Sequence, residues 1–306
     1  MSLLRLTATI AAILVAWSAD NTISLAQTPL IPLNDKILID YREPANPEFV
    51  YNLDRNDPDE RVQKLFAKYE RLKGVYGRLN ERKALERYSQ FLVALRLPMT
   101  LRLLARQCDT GPYFDSEENS INLCYEWVAS LEDEAPTTRT KDGITREDAV
   151  IGGIVGALLH ETGHAIFHMY QIPVLGREED GADQIAAYIM LQFTDEVALT
   201  TIKGMMWMWR DWNRPYYADS HSTAQQRFDT FLCIAYGGRP TAFQPFIDSG
   251  LMRTERAAGC NREYRQIERT FIKTVAPHID PDLMEKVLSA TWFSPQDKSA
   301  IPVQTR

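Results

Sequence analysis

Cysteine and histidine are scarce in this chain, with 4 and 5 copies among 306 residues. No CxxC pair occurs, which argues against a zinc site built from cysteines. Beyond residue 26 no apolar run approaches the length of a bilayer, so no transmembrane span is expected in the mature chain. Basic clusters are missing as well. The formal charge is −7, from 34 basic and 41 acidic residues, which argues against nucleic acid and anionic membranes as partners. Internal repeats and low-complexity tracts are absent.

What is present is globular composition, 45% hydrophobic and 25% charged, enough to build a core. The first residues read "MSLLRLTATIAAILVAWSADNTISLAQ". Arg5 supplies a short basic start, Leu6 to Ala19 an apolar centre, and Ser24-Leu25-Ala26 the small residues of a cleavage site. This predicts a secretory signal peptide over 1–26, with a retained N-terminal anchor as the alternative. Its removal takes away one basic residue, Arg5, and one acidic residue, Asp20, so the net charge stays at −7. The expected location is periplasmic or secreted.

Cys108, Cys124, Cys233 and Cys260 all lie beyond the leader, and an even count in an exported chain predicts two disulfides. Three pairings are possible. The sequence-local one, Cys108–Cys124 with Cys233–Cys260, is favoured.

Residues 27–57 are rich in Pro, Asn and Asp and read as an extended lead-in containing "KILIDY". Residues 58–306 read as a single domain. Val62, Leu65, Phe66, Tyr69, Leu72 and Val75 recur at three- and four-residue steps, which predicts helix over roughly 58–97, divided near Gly74 and Gly77. Residues 99–105 look like a strand. Residues 108–127 carry two short β-like runs around "DSEENS", a hairpin that its flanking cysteines would staple. Residues 131–142 read as loop. Thr145, with Asp148 three residues on, opens a helix that runs to about Tyr170, before Pro173. That helix is apolar nearly all round, hence buried. It also carries Gly152, Gly153, Gly156 and Gly163, which signals close approach by neighbouring elements. Further helices are expected from Glu178, over 196–212, from Thr223 to Gly237-Gly238, over 261–275 and near 281–290. The fold class is therefore α+β: mostly helical, with a small antiparallel sheet or hairpin ahead of the buried helix.

That helix contains "HETGH", residues 160–164. Positions four apart share a helix face, so His160 and His164 can hold one ion. Glu161 is rotated by about 100° and reaches a water beside that ion rather than the ion itself. Random placement of so few histidines yields this pattern about 0.005 times per chain, so chance is a poor explanation. Two ordinary core histidines would each require buried hydrogen-bond partners. A catalytic zinc needs a third protein ligand. Glu178, Glu179, Asp180 and Asp183 compete in "GREEDGAD". Glu179 and Asp183 share a face flanked by Ala182 and Ala186, which permit close packing. Glu179 is assigned as third ligand and Asp183 as acceptor from a ligand histidine's second ring N–H. Glu178 and Asp180 point elsewhere, as an acidic helix start favoured by the dipole. His221 stands just before a helix and can stabilise an oxyanion or merely cap. Arg227, farther along, lies close to the site or pairs with a carboxylate. His168 extends the series as a pocket-lining or structural residue, and His278 reads as surface. "MMWMWRDW", 205–212, is core or a hydrophobic subsite, with core favoured.

"HETGHA" followed by "GREEDGADQIA" resembles the gluzincin arrangement, HExxH plus a glutamate with an aspartate four residues later. More closely, the chain resembles a family of exported bacterial zinc metallopeptidases of unknown function. The shared features stand at Cys124-Tyr125-Glu126, His160 to Ala165, Gly176 to Asp183, and His221 with Gln226-Arg227-Phe228, Cys233 and Ala235-Tyr236-Gly237. The resemblance covers roughly residues 95–260. It implies a zincin-like fold with a strand bordering the cleft. Thermolysin-like enzymes and membrane CAAX prenyl proteases share the ligand pattern, and their histidine after the glutamate helix supports the role given to His221. The chain departs from the family pattern in the hairpin, with "GPYFD" where the pattern has Asn-Ala-aromatic-aromatic-Asp.

Together these readings predict an exported hydrolase that cleaves a peptide or protein substrate with Zn²⁺. His160, His164 and Glu179 are the expected ligands, Glu161 the general base and His221 the oxyanion partner. A substrate strand is expected to pair with residues 120–125. The rival is a non-catalytic exported zinc-binding or metal-trafficking protein.

Overall fold

The computed structural model describes residues 34–108, 110–210 and 220–289. The predicted signal peptide, residues 211–212 of the helix expected over 196–212 and the end of the last expected helix lie outside them. Four strands and eleven α-helices follow in the order β1 Ile37–Tyr41, α1 Pro47–Tyr51, α2 Glu60–Glu81, α3 Ala84–Ser89, β2 Leu101–Arg106, β3 Tyr113–Asp115, β4 Ser120–Cys124, α4 Tyr125–Glu134, α5 Gly153–Met169, α6 Glu178–Met190, α7 Asp195–Trp209, α8 Ala224–Gly238, α9 Pro240–Asp248, α10 Thr254–Thr274 and α11 Pro281–Ser289. The chain is α+β and mostly helical, with one small sheet ahead of α5.

That sheet is mixed rather than antiparallel. Its order is β1-β2-β4-β3. Strands β1, β2 and β4 run parallel, and only the β3–β4 hairpin is antiparallel. The difference comes from "KILIDY". In the segment read as an extended lead-in it forms β1, and three helices carry the chain back over the sheet to β2, as a parallel crossover requires. The hairpin turn is closed by Asp115, whose Oδ1 accepts from the backbone of Glu117 and Glu118 at 2.8 and 3.0 Å. All five residues of β4 are buried; all five pair with β2, and Ser120–Asn122 pair with β3 as well. Of the two hairpin strands β3 is the outer one, and β1 forms the opposite edge of the sheet. The expectation that a substrate pairs with 120–125 is therefore corrected: Ser120–Asn122 are already paired on both sides, and Tyr125 belongs to α4.

Helix α2 ends at Glu81, shortly before Lys83 with its φ of 52°, and not at Gly74 or Gly77, which remain inside it. Helices α4 and α9 occupy stretches without an expected helix, α4 reaching into 131–134. Ahead of α5, Thr145 and Asp148 cap each other reciprocally: the Asp148 N–H donates to Thr145 Oγ1 at 3.0 Å and the Thr145 N–H to Asp148 Oδ2 at 2.9 Å. A π-helical turn, Asp148–Gly152, then leads into α5. This segment is apolar and long enough to cross a membrane, but most of it is buried inside the protein. Helix α5 packs on α6 and α7 and against β3 and β4.

Its glycines explain how tightly. A β-carbon on Gly152 would fall 2.1 Å from the carbonyl oxygen of Thr200 on α7, and one on Gly163 would fall 2.7 Å from the Ala182 Cα on α6. Helices α5 and α6 therefore meet backbone to backbone at the level of the HETGH segment. The disulfides are Cys108–Cys124, which ties the lead into β3 to the end of β4, and Cys233–Cys260, which ties α8 to α10. Both fit an oxidising compartment.

Candidate metal centre

His160, Glu161 and His164 stand on α5, Glu178, Glu179 and Asp183 on α6, and Arg227 on α8. The close α5–α6 crossing brings the first two groups face to face. His160 Nε2 lies 3.1 Å from Glu179 Oε2, and His164 Nε2 lies 3.4 Å from the same oxygen. The two histidine Nε2 atoms are 3.3 Å apart. A tetrahedral zinc with bonds of about 2.0–2.2 Å holds its ligand atoms about 3.3–3.5 Å from one another. The three donors thus already stand at the spacing such an ion imposes.

The outer ring nitrogens support the same conclusion. His160 Nδ1 is 2.7 Å from Asp183 Oδ1, and His164 Nδ1 is 2.7 Å from Glu178 Oε1. A neutral imidazole that donates from Nδ1 presents a lone pair at Nε2, the form a metal takes up. Asp183 holds His160 as the sequence suggested. Glu178 was expected to point elsewhere but comes into the site against His164. Spacing alone could not show this, because the first turn of α6 carries three adjacent carboxylates.

Asp183 is itself fixed. Arg227 donates to both of its oxygens, Nε at 2.7 Å and Nη2 at 2.6 Å, while the guanidinium lies 4.5 Å over the Trp209 ring. Arg227 therefore does pair with a carboxylate, and that carboxylate belongs to the site.

His221 joins from the segment before α8. Its Nε2 is 2.8 Å from Glu179 Oε2, and donor atoms of His160, Glu179 and His221 lie within 4.8 Å of one another, close enough to hold a metal ion. Of the three histidines it is the most exposed, its side chain 42% accessible against 6% for His160 and 15% for His164. Sequence reasoning missed what supports it. Ser222 donates to Asp180 at 2.6 Å and lies 3.3 Å from Arg177 Nη1, which ties this segment to the start of α6.

These contacts set the electrostatics. Burial works against protonating His160, but its hydrogen bonds to Asp183 and Glu179 outweigh that and push it up to about 9. Glu179 is half-buried, which alone would raise it; hydrogen bonds from His160, His164 and His221 instead hold it well below the usual carboxylate range. Asp183 is likewise lowered, against its own burial, by His160 and Arg227. Glu161 differs. Burial dominates and raises it, although the Phe114 backbone on β3 hydrogen-bonds its carboxylate. Glu179 and Asp183 are thus held as anions, while Glu161 is shifted toward its protonated form.

His168 packs its ring 5.7 Å from that of Phe114. His278 is not plain surface, because it stacks on Tyr170 at 4.1 Å. Met205, Met206, Trp207 and Trp209 are buried as core residues, and all but Met206 also line a cavity of about 250 Å³ that reaches His160, Glu161 and His221.

Residues 67–273 match the model of a family described as "Putative metallopeptidase". No curated protein and no solved structure matches the chain. The match spans more than half of the sequence and encloses every residue of the donor cluster, and the chain belongs to this metallopeptidase family.

Proposed function

We propose that this protein is an exported zinc peptidase of the gluzincin type, with His160, His164 and Glu179 as metal ligands. The observation that carries the reading is the convergence of two histidine Nε2 atoms on one Glu179 oxygen, 3.1 and 3.4 Å away, beside the buried Glu161. A zinc ion held there supplies Lewis acidity and makes water nucleophilic near neutral pH.

The remaining work falls to side chains of the chain. Glu161, raised by burial, takes a proton from the attacking water and later gives it to the leaving amine. His221 Nε2, facing the same centre, donates to the oxyanion that forms on the substrate carbonyl. Asp183 and Glu178 keep both ligand rings turned inward. The substrate backbone pairs with the free edge of β3, whose Phe114 already touches Glu161. A protein that only stores or carries zinc has no use for a buried carboxylate beside the ligands, which supports catalysis over the non-catalytic alternative.

The test is Glu161→Gln compared with wild type by metal analysis and by digestion of a peptide library. The variant should bind zinc stoichiometrically and cleave nothing. Loss of zinc with the substitution, or cleavage that survives it, would overturn the role of Glu161.

A further inference from the structure

The cavity beside Glu161 has walls unlike the rest of the site. It runs between α4, α5, α7 and the start of α8 and is lined by Trp127, Leu131, Met205, Trp207, Met208 and Trp209. At about 250 Å³ it lies below the roughly 300–1,000 Å³ of pockets that enclose whole small molecules. It suits one large side chain. Exposed groups of Ser130, Glu134 and Arg210 also border it, while His160, Glu161, His221 and Arg227 line it on the side of the metal centre. Pro112, next to the edge strand β3, lies on the same cavity.

We infer that this cavity is a specificity pocket for a large apolar or aromatic side chain of the substrate, on a residue adjoining the cleaved bond. The inference rests on the peptidase reading above for its substrate, but the pocket itself can be tested by binding. A peptide lying along β3 with its carbonyl at the metal centre passes the mouth. Aromatic rings and thioethers line the space that its side chain would enter, and rings in such surroundings gain edge-to-face and sulfur contacts. The pocket is also joined mechanically to the metal centre. Trp209 forms part of its wall and carries Arg227 on its face, and Arg227 holds Asp183 against His160. A filled pocket thereby steadies the ligand set.

The experiment uses the full mature chain loaded with zinc. Blocked peptides that differ at one position, Phe against Ala, are titrated into Glu161→Gln while tryptophan fluorescence is followed. The Phe peptide should bind roughly ten- to hundredfold tighter and perturb the fluorescence. Ser130→Phe, an exposed change at the mouth, should abolish that preference while leaving zinc content unchanged. Equal binding of the two peptides, or an unchanged preference in Ser130→Phe, would overturn the pocket. Wild-type digestion separates the two readings. Tight Phe binding without any cleavage keeps the pocket and removes the peptidase, whereas cleavage with no side-chain preference does the reverse.

Discussion

Gly163 of α5 and Ala182 of α6 touch so closely that a β-carbon on Gly163 would stand 2.7 Å from the Ala182 Cα. The contact lies between His160 and His164 on one helix and Glu179 and Asp183 on the other. It sets the distance between the two halves of the donor cluster. Gly163→Ala must push α6 away, since the opposing atoms are backbone. Overpacking of this kind costs about 1–3 kcal/mol. The expected result is a lower melting temperature together with zinc affinity reduced at least about tenfold, read by calorimetry and chelator competition. Wild-type zinc affinity in this variant would show that helix spacing does not govern the site.

Asp183 is 2% exposed and carries both His160 and Arg227. In Asp183→Asn the part-buried guanidinium of Arg227 loses its charged partner, a loss that approaches the ~3–5 kcal/mol of a fully buried pair. The pH dependence has a definite sign. The folded pKa of Asp183 lies below its ordinary 3.8, so the stability it adds is present above 3.8 and is lost as pH falls through the folded value. Urea unfolding of metal-free wild type and Asp183→Asn should differ most near neutral pH and converge in strong acid. A gap that stays constant down to pH 2 would count against this account.

Zinc must displace protons from the metal-free site. His160 is pushed up to about 9, so below that pH each bound ion expels at least one proton. Apparent zinc affinity should therefore rise about tenfold per pH unit for each proton released, and level off as pH passes about 9. Calorimetry in buffers of different ionisation enthalpy counts those protons. A pH-independent affinity between 6 and 8 would contradict the assigned partners of His160.

Cys233 and Cys260 are fully buried and close a loop of sequence separation 27 between α8 and α10. Replacing both by serine should cost about 2–5 kcal/mol. The measurement is the melting temperature of this variant with and without reductant. Reductant should lower the wild type further than the variant, which retains only Cys108–Cys124.

The sequence by itself determined the local chemistry. Four-residue spacing on a helix puts His160 and His164 on one face, turns Glu161 aside, and aligns Glu179 with Asp183, because the helical repeat is fixed by backbone hydrogen bonds alone. Short β-like runs and the turn-forming "DSEENS" likewise announced β2 and the hairpin, and the glycines of the HETGH helix announced close neighbours. Tertiary structure decided everything that depends on which elements meet. Only the α5–α6 crossing shows that Glu178 reaches His164, and only the α8 packing brings Arg227 onto both Asp183 and Trp209. The strand order makes β3, and not β4, the outer strand of the hairpin, since a strand's sequence does not say which neighbour it pairs with. Trp207 and Trp209 read as core from composition, and they are buried; that they also wall a cavity beside Glu161 follows from the placement of α7 across α5. Periodicity is a property of one segment, whereas a site is a property of several segments brought together.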